Sequence, residues 1–406
     1  MSIRNLKFPS KVSAAVAAVS STAFSFRERN ICSSEPSQAN VEVPSSKPGV
    51  KLLFLGTGSS TGCPKPLCSL LFPEKNHSHI LKDHKIENIQ KEMRNRCHTS
   101  ILASKGDPRT NRNYRNNPSL VISHINEDDQ LNDGTPGEIE NQKKDLRNVI
   151  IDVGKTFRET AIRWMPLHGI YSVDGVVLTH EHADAMLGLD DLRGFQMSTP
   201  IVTKFGHVSK AANAIPIHLS GKCLDRVKEQ FPYLIPKNIE ETTNKENEEK
   251  VVRHVASLEF NVVTHFKPFI VGGLRMIPLP VIHGEDFICN GYAFSVKSNH
   301  EQEEKMTHVV YLSDLSRMPN DTLQFICNEL PPTDILVIDS LSYSTPHPVH
   351  FSLDQAMNLA KLIGAKKTYI VGINCDDFPD HYEANRRIKA RDPSVELAYD
   401  GLAIEL

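Results

Sequence analysis

The apolar positions of this chain fall into short runs separated by polar, turn-forming stretches, and most of the runs have strand length. Lys51–Leu55 is the first clear one, and it stops at Gly56-Thr57-Gly58. Ser119–Ser123, Val149–Asp152, Gly175–Thr179, Leu274–Pro280, Val309–Ser313, Ile335–Asp339 and Thr368–Val371 follow, several of them ending in a polar or metal-ligating side chain. Helical spacing shows in Thr156–Trp164 and in Ser352–Ile363, where Leu353, Met357, Ala360 and the pair Leu362-Ile363 line one face and Ser352 suits an N-cap. Strands that end in functional loops and alternate with helices predict a layered α/β protein.

The first 50 residues break this pattern. Arg4, Lys7, Lys11, Arg27 and Arg29 are interleaved with Ser and Ala, and Glu28 is the only acid before Glu35. That is the make-up of an organelle transit peptide, which would direct the chain to the mitochondrion or another organelle. The alternative is a disordered tail with no address and a cytoplasmic protein. The folded domain is expected to run from 51 to 406. Two polar stretches within it, 104–144 (interrupted only by the strand at Ser119–Ser123) and 238–250, are expected as surface insertions.

Composition narrows the function. A formal net charge of -3 leaves no general basic field for nucleic-acid binding. No stretch approaches the roughly 20 apolar residues that cross a bilayer, so no membrane role is expected. Eight cysteines without dense pairs do not form the disulfide framework of a small secreted domain.

The chemistry concentrates where a strand-like run, Val176-Val177-Leu178-Thr179, enters His180-Glu181-His182-Ala183-Asp184-Ala185. Two imidazoles and a carboxylate at alternating positions converge on one cation if the loop curls around it. Alone, a His-x-His is more often a pair of surface loop residues. Two further strand ends change that balance: Pro278-Leu279-Pro280-Val281-Ile282-His283 delivers a histidine, and Tyr311-Leu312-Ser313-Asp314 delivers an aspartate.

This order of motifs resembles the metallo-β-lactamase superfamily. The runs Phe54-Leu55-Gly56-Thr57-Gly58, Leu279-Pro280-Val281-Ile282-His283 and Ala398-Tyr399-Asp400-Gly401 are similar to the cyclic-phosphate phosphodiesterase of bacterial phosphonate degradation and its eukaryotic relatives. The resemblance covers roughly Lys51 to the C-terminus apart from the insertions. It implies an αββα sandwich with two polar surface insertions, and a site holding Zn²⁺ or Mn²⁺, one ion expected and a second left open. His180, His182 and His283 would hold the first ion, Asp314 would bridge toward a second, and Asp184 would belong to that second position. Asp152, in Ile150-Ile151-Asp152-Val153-Gly154, would support the ligands from behind.

The chain departs from that pattern at Ala185 and Gly372, where the family usually places histidines. Cys375, Asp376, Asp377 and His381 are close enough in sequence to offer substitutes. Of the family's small cysteine zinc site, Cys68 and Cys375 have counterparts, and Cys63 and Cys97 could supplement them. The family also implies a general acid before the last strand, and His350 stands there, with His347 as the alternative. Asp184 would orient or deprotonate the attacking water. Arg193 could meet an anionic phosphate or pair with Asp190 or Asp191.

The function expected is therefore a metal-dependent phosphodiesterase acting on a small, cyclic or nucleotide-like phosphodiester. The competing readings are a thioester or lactone hydrolase on the same fold, and a binding protein with a degenerate centre. A homodimer is expected from relatives alone.

Overall fold

The strand runs pair into two sheets whose register places the chemistry-bearing ends together. The computed structural model describes residues 49–72, 88–91, 98–125, 146–196, 198–203, 206–211, 213–235, 255–297 and 305–406, with 198–203 and 206–211 described by backbone alone. Among these, one seven-stranded sheet runs in the order Ala403–Glu405, Lys51–Gly56, Ser119–Ile125, Leu146–Ile151, Gly175–Val177, Ile215–Leu219, Leu258–Val262. The other runs Val395–Leu397, Lys367–Val371, Ile335–Asp339, Met306–Leu312, Phe287–Lys297, Leu274–His283, Phe269–Val271. A separate hairpin pairs Ser198–Thr203 with Gly206–Ala211.

Alternate residues of one strand serve two cores. Leu52 and Phe54 face the second sheet, in a cluster with Ile122, Ile151, Met276, Tyr292, Tyr311 and Val337. Leu53 and Leu55 face the other way, onto Phe157, Ala161 and Trp164 of the helix Phe157–Trp164 and Val227 of the helix Gly221–Gln230. The outer face of the second sheet packs Val310, Leu336 and Ile370 on Leu353, Ala356 and Leu359 of the helix Leu353–Ile363, and on Ala384 and Ile388 of the helix His381–Arg391. Strands covered on both faces read as unbroken apolar runs, which is why the sequence shows runs rather than alternation. Helix, sheet, sheet, helix is the expected αββα order.

Each sheet changes from antiparallel to parallel pairing part-way across. Gly175–Val177 is parallel to both its neighbours, as is Ile335–Asp339. Parallel neighbours need helical crossovers, and in α/β sheets ligands gather beyond the carboxyl ends of such strands. His180, Asp314, Asp339 and Gly372 all lie at those ends. Ser352 caps the helix Leu353–Ile363 as expected, its N–H donating to Gln355 Oε1 at 2.9 Å.

One organisational expectation fails. Residues 104–112 lie at the surface as expected, but Asn113, Arg115, Asn116 and Asn117, read as part of the same insertion from their polar composition, are all buried. Arg115 Nη1 donates to Thr57 Oγ1 and to Ala398 O, both at 2.8 Å, and its Nη2 lies 2.9 Å from His381 Nδ1. Asp400 accepts from Thr57 Oγ1 at 2.8 Å, from the Asn116 N–H at 2.7 Å and from Asn116 Nδ2 at 2.9 Å. Polar side chains are tolerated inside because partners from the first loop, this segment and the C-terminus satisfy one another. Residues 126–144 and 238–250 lie outside the described residues, as do Cys97 and residues 1–48 of the N-terminal segment. The described residues from 49 to 406 cluster as a single unit. Among the described residues no helix is long and apolar enough to cross a membrane.

Candidate metal centre

The strand Gly175–Val177 ends two residues before Thr179, and Asp152 reaches Thr179 from the neighbouring strand end. Asp152 Oδ1 accepts the Thr179 N–H at 2.8 Å, and Asp152 Oδ2 accepts the Thr179 hydroxyl at 2.7 Å. Thr179 Oγ1 has one proton and gives it to Asp152, so toward His180 Nδ1, 2.8 Å away, it acts as acceptor. His180 therefore carries its proton on Nδ1 and presents the Nε2 lone pair. That Nε2 atom is buried and makes no hydrogen bond. Burial holds the ring neutral, its pKa pushed down to about 3.

The other rings gather around it. His182 lies 4.6 Å from His180 between ring centroids and stacks on Phe287 at 4.9 Å. His283 Nδ1 lies 2.8 Å from the Val349 carbonyl, which accepts the Nδ1–H hydrogen bond and leaves the Nε2 lone pair free to ligate. One ligand atom from each of His180, His182 and His283 falls within 4.8 Å of the others, and the same holds for His283, Asp314 and His350. Asp314 Oδ2 is 4.0 Å from His180 Nε2. Burial opposes the Asp314 carboxylate, but the His180, His350 and His283 rings outweigh it and hold the group below its usual range.

An orphaned, neutral imidazole nitrogen beside two more imidazoles and an ionised carboxylate fits a divalent cation. The Thr179 relay fixes which nitrogen is offered, so its loss is measurable. A Thr179→Val chain keeps the shape and should bind Zn²⁺ about 10–100-fold more weakly, read by competition with a chromogenic chelator. An unchanged affinity would mean that His180 needs no such support.

The second-ion position is poorer in donors. Asp184 is buried in the first turn of the short helix Ala183–Met186, and burial, then the Asp314 charge, raise its pKa. Ala185 lies beside it, its carbonyl accepting the Val153 N–H at 2.8 Å. Gly372 has φ +74, and a Cβ there would stand 1.9 Å from Asp339 Oδ1. A histidine at 372 would have to displace the Asp339 carboxylate and adopt a strained left-handed backbone.

The nearby substitutes are committed elsewhere. Asp376 pairs with Lys65, and Asp377 accepts from the Ser344 and Thr345 N–H groups at 2.8 and 3.0 Å. His381 meets Arg115 as described above, and Cys375 shares a small buried cluster with Cys63 and Ala103. Cys68 is also buried. No cysteine belongs to a three-ligand group among the described residues.

His350 joins the site from the loop before the helix Leu353–Ile363. Its Nδ1 is 2.7 Å from Asp339 Oδ2 and 3.6 Å from Asp314 Oδ1. Arg193 is exposed, 3.8 Å from Asp190, and lines a groove with Ile162, Tyr171 and Phe195, which realises the pairing that competed with a phosphate role. Sequence reasoning missed Asp339, Thr179 and Phe287. Asp339 was visible as the polar end of an apolar run. Nothing local marks the other two.

Asp152 and Asp314 both have positive φ, +62 and +52. Non-glycine residues rarely adopt this conformation, and such strain gathers at functional sites.

Residues 147–373 match the family described as the Beta-lactamase superfamily domain, a span that takes in Asp152, all three histidines, Asp314, Asp339 and His350. The chain belongs to the metallo-β-lactamase superfamily. Its fold is that of a superfamily hydrolase, with a His/Asp cluster where the family binds divalent metal. Among solved structures it is similar to a diphosphatase from the PhnP family, with 26% identity, TM-score 0.54, and coverage of 88% of this chain and 97% of that one. It shares its fold with Zn²⁺-bound PqqB from Methylobacterium extorquens at 15% identity and TM-score 0.51, covering 88% of this chain and all of that one. A curated relative, an octanoyltransferase of Porphyromonas gingivalis, is 26% identical over 256 residues, which is 63% of this chain and 42% of the relative. The chain thus spans under half the length of that protein.

Proposed function

We propose that this protein is a phosphodiesterase that hydrolyses a small, cyclic or nucleotide-like phosphodiester. The observation that carries the reading is the Asp339–His350 pair, 2.7 Å apart, set against the His180–His182–His283–Asp314 cluster. Ester hydrolysis at phosphorus needs a nucleophilic water on one side and a proton for the leaving oxygen on the other. His180, His182, His283 and Asp314 would hold the cation. When bound, a divalent ion supplies Lewis-acid activation of water and of the phosphoryl oxygen.

The protein's own groups do the rest. Asp184 orients the attacking water and takes its proton as the new P–O bond forms. His350, held by Asp339, gives a proton to the alcohol oxygen as the old P–O bond breaks. The step leaves a phosphomonoester and an alcohol, both on one molecule when the diester is cyclic. The likeness to the PhnP-family diphosphatase supports phosphorus over carbon as the electrophile.

The test is a substrate panel on Zn²⁺- or Mn²⁺-loaded protein. Release of p-nitrophenolate from bis(p-nitrophenyl) phosphate, lost on adding chelator, is the expected outcome. Hydrolysis of thioesters or lactones without any phosphodiester turnover would move the assignment to the acyl alternative, which the octanoyltransferase relative keeps on the panel.

A further inference from the structure

A substrate phosphate carries negative charge into a site already crowded with carboxylates: Asp152, Asp184, Asp314 and Asp339 are all buried there. A cation of the chain beside the metal would offset that charge. Two arginines near the metal loops are engaged. Arg193 lies 3.8 Å from Asp190, and Arg317 donates to the Glu285 carbonyl and lies 3.8 Å from Asp286. Lys155 is exposed as they are, but it makes no ion pair among the described residues.

Its backbone is locked against the metal loop. The turn Val153-Gly154-Lys155-Thr156 leaves the strand end at Asp152 and packs on the first turn of the helix Ala183–Met186. The Val153 N–H donates to Ala185 O at 2.8 Å, and the Gly188 N–H donates to Val153 O at 2.7 Å. A Cβ on Gly154 would stand 1.8 Å from the Asp184 carbonyl oxygen, so only glycine permits this approach. Lys155 is therefore one residue beyond a backbone contact with Asp184. Its charge is felt there, since Lys155 is among the groups that favour the ionised Asp184 carboxylate.

The turn is also tied to the other wall of the site. The Asn117 N–H donates to Thr156 Oγ1 at 3.1 Å, while Asn117 Nδ2 donates to Ser59 O and Ser60 O at 3.1 and 3.0 Å. The Ser59 N–H in turn donates to Ile373 O at 3.2 Å, next to Gly372. Asn117 thus latches the Lys155 turn, which abuts Asp184, to the first loop, which abuts the strand end at Gly372.

We infer that Lys155 is the substrate-binding cation of this site, meeting a non-bridging oxygen of the phosphoryl group. The assignment rests on the phosphodiesterase reading for its substrate and on the turn's geometry for its place. A flexible ammonium on a rigid turn acts as a point charge for an anion of variable shape. Its contribution is to binding, more than to proton transfer.

The test uses the full chain loaded with Zn²⁺ or Mn²⁺ and inorganic phosphate as the probe, titrated calorimetrically into wild type, Lys155→Ala and Lys155→Arg. Lys155→Ala should weaken phosphate binding about tenfold, with arginine recovering most of it, the scale of one charge-assisted hydrogen bond. Metal content and melting temperature should not change. On bis(p-nitrophenyl) phosphate the Lys155→Ala loss should fall on KM, with kcat within about twofold. Equal phosphate affinity in wild type and Lys155→Ala would overturn the assignment, as would a wild type that binds no phosphate. A wild type that binds phosphate through Lys155 and yet cleaves no phosphodiester would sink the proposed reaction and leave the anion site standing.

Discussion

A His182→Ala chain is expected to purify folded and to lose its metal, and with it at least about 100-fold of any metal-dependent turnover at limiting metal. His182 is exposed, so its side chain contributes little to the core. The backbone bonds that start the helix Ala183–Met186 run from the Ala185 and Met186 N–H groups to His182 O, at 3.1 and 3.2 Å, and survive the substitution. What is removed is one of three imidazoles whose ligand atoms lie within 4.8 Å of one another. Supporting residues behind metal ligands already cost 10–100-fold in affinity when lost, so a ligand should cost more than about 100-fold. Elemental analysis after dialysis, beside a melting curve in chelator, reads both parts of the statement. A His182→Ala chain that kept a full equivalent of metal would dismantle the cluster as the ion's site.

The architecture was legible because both sheets are buried on two faces. Ile335–Asp339 reads as strand from composition alone, and the structure places it at the same residues. Phe287–Lys297, the longest strand of the second sheet, did not stand out. Asn290 and Gly291 interrupt its apolar run, and the reason for the glycine is tertiary: a Cβ on Gly291 would stand 2.8 Å from Tyr311 O on the adjacent strand. Residues 113–117 failed for the opposite reason. Asn113, Arg115, Asn116 and Asn117 look solvated in sequence, but they become interior groups once Thr57, Asp400 and His381 supply partners 58 to 284 residues away.

The site divides along the same line. His180, His182, His283 and Asp314 were recognisable because each sits at the end of an apolar run, where a strand delivers its next side chain to the sheet edge. Gly372 was recognised only as a missing ligand, and its physical reason, Asp339 Oδ1 in the space of its Cβ, belongs to the folded chain. Thr179 is invisible as a relay until Asp152 and His180 are seen on either side of its hydroxyl. Periodicity finds strand ends; it does not find which neighbours those ends acquire.

His350→Ala should lower kcat about 100-fold while the metal stays bound, within the range that a positioned proton donor contributes. The retained metal matters because His350 also lies within ligand distance of His283 and Asp314. If His350 were a ligand, its loss would empty the site as His182→Ala does. A second readout comes from the leaving group. p-Nitrophenolate departs without protonation, so the His350→Ala defect should be much smaller on bis(p-nitrophenyl) phosphate than on an alkyl phosphodiester. Equal defects on both would remove the proton-donor role. Asp339→Asn tests how the proton is held. Burial opposes the charged His350 ring, but Asp339 and then Asp314 more than offset it and push its pKa up to about 9. A general acid works only while protonated, so turnover falls as pH rises through that pKa. Asparagine removes the nearest and largest of the negative charges that offset burial, so the alkaline limb of the kcat profile should move to lower pH than in wild type. A limb that stayed in place, or moved upward, would show that the group titrating there is not the His350 imidazolium paired with Asp339.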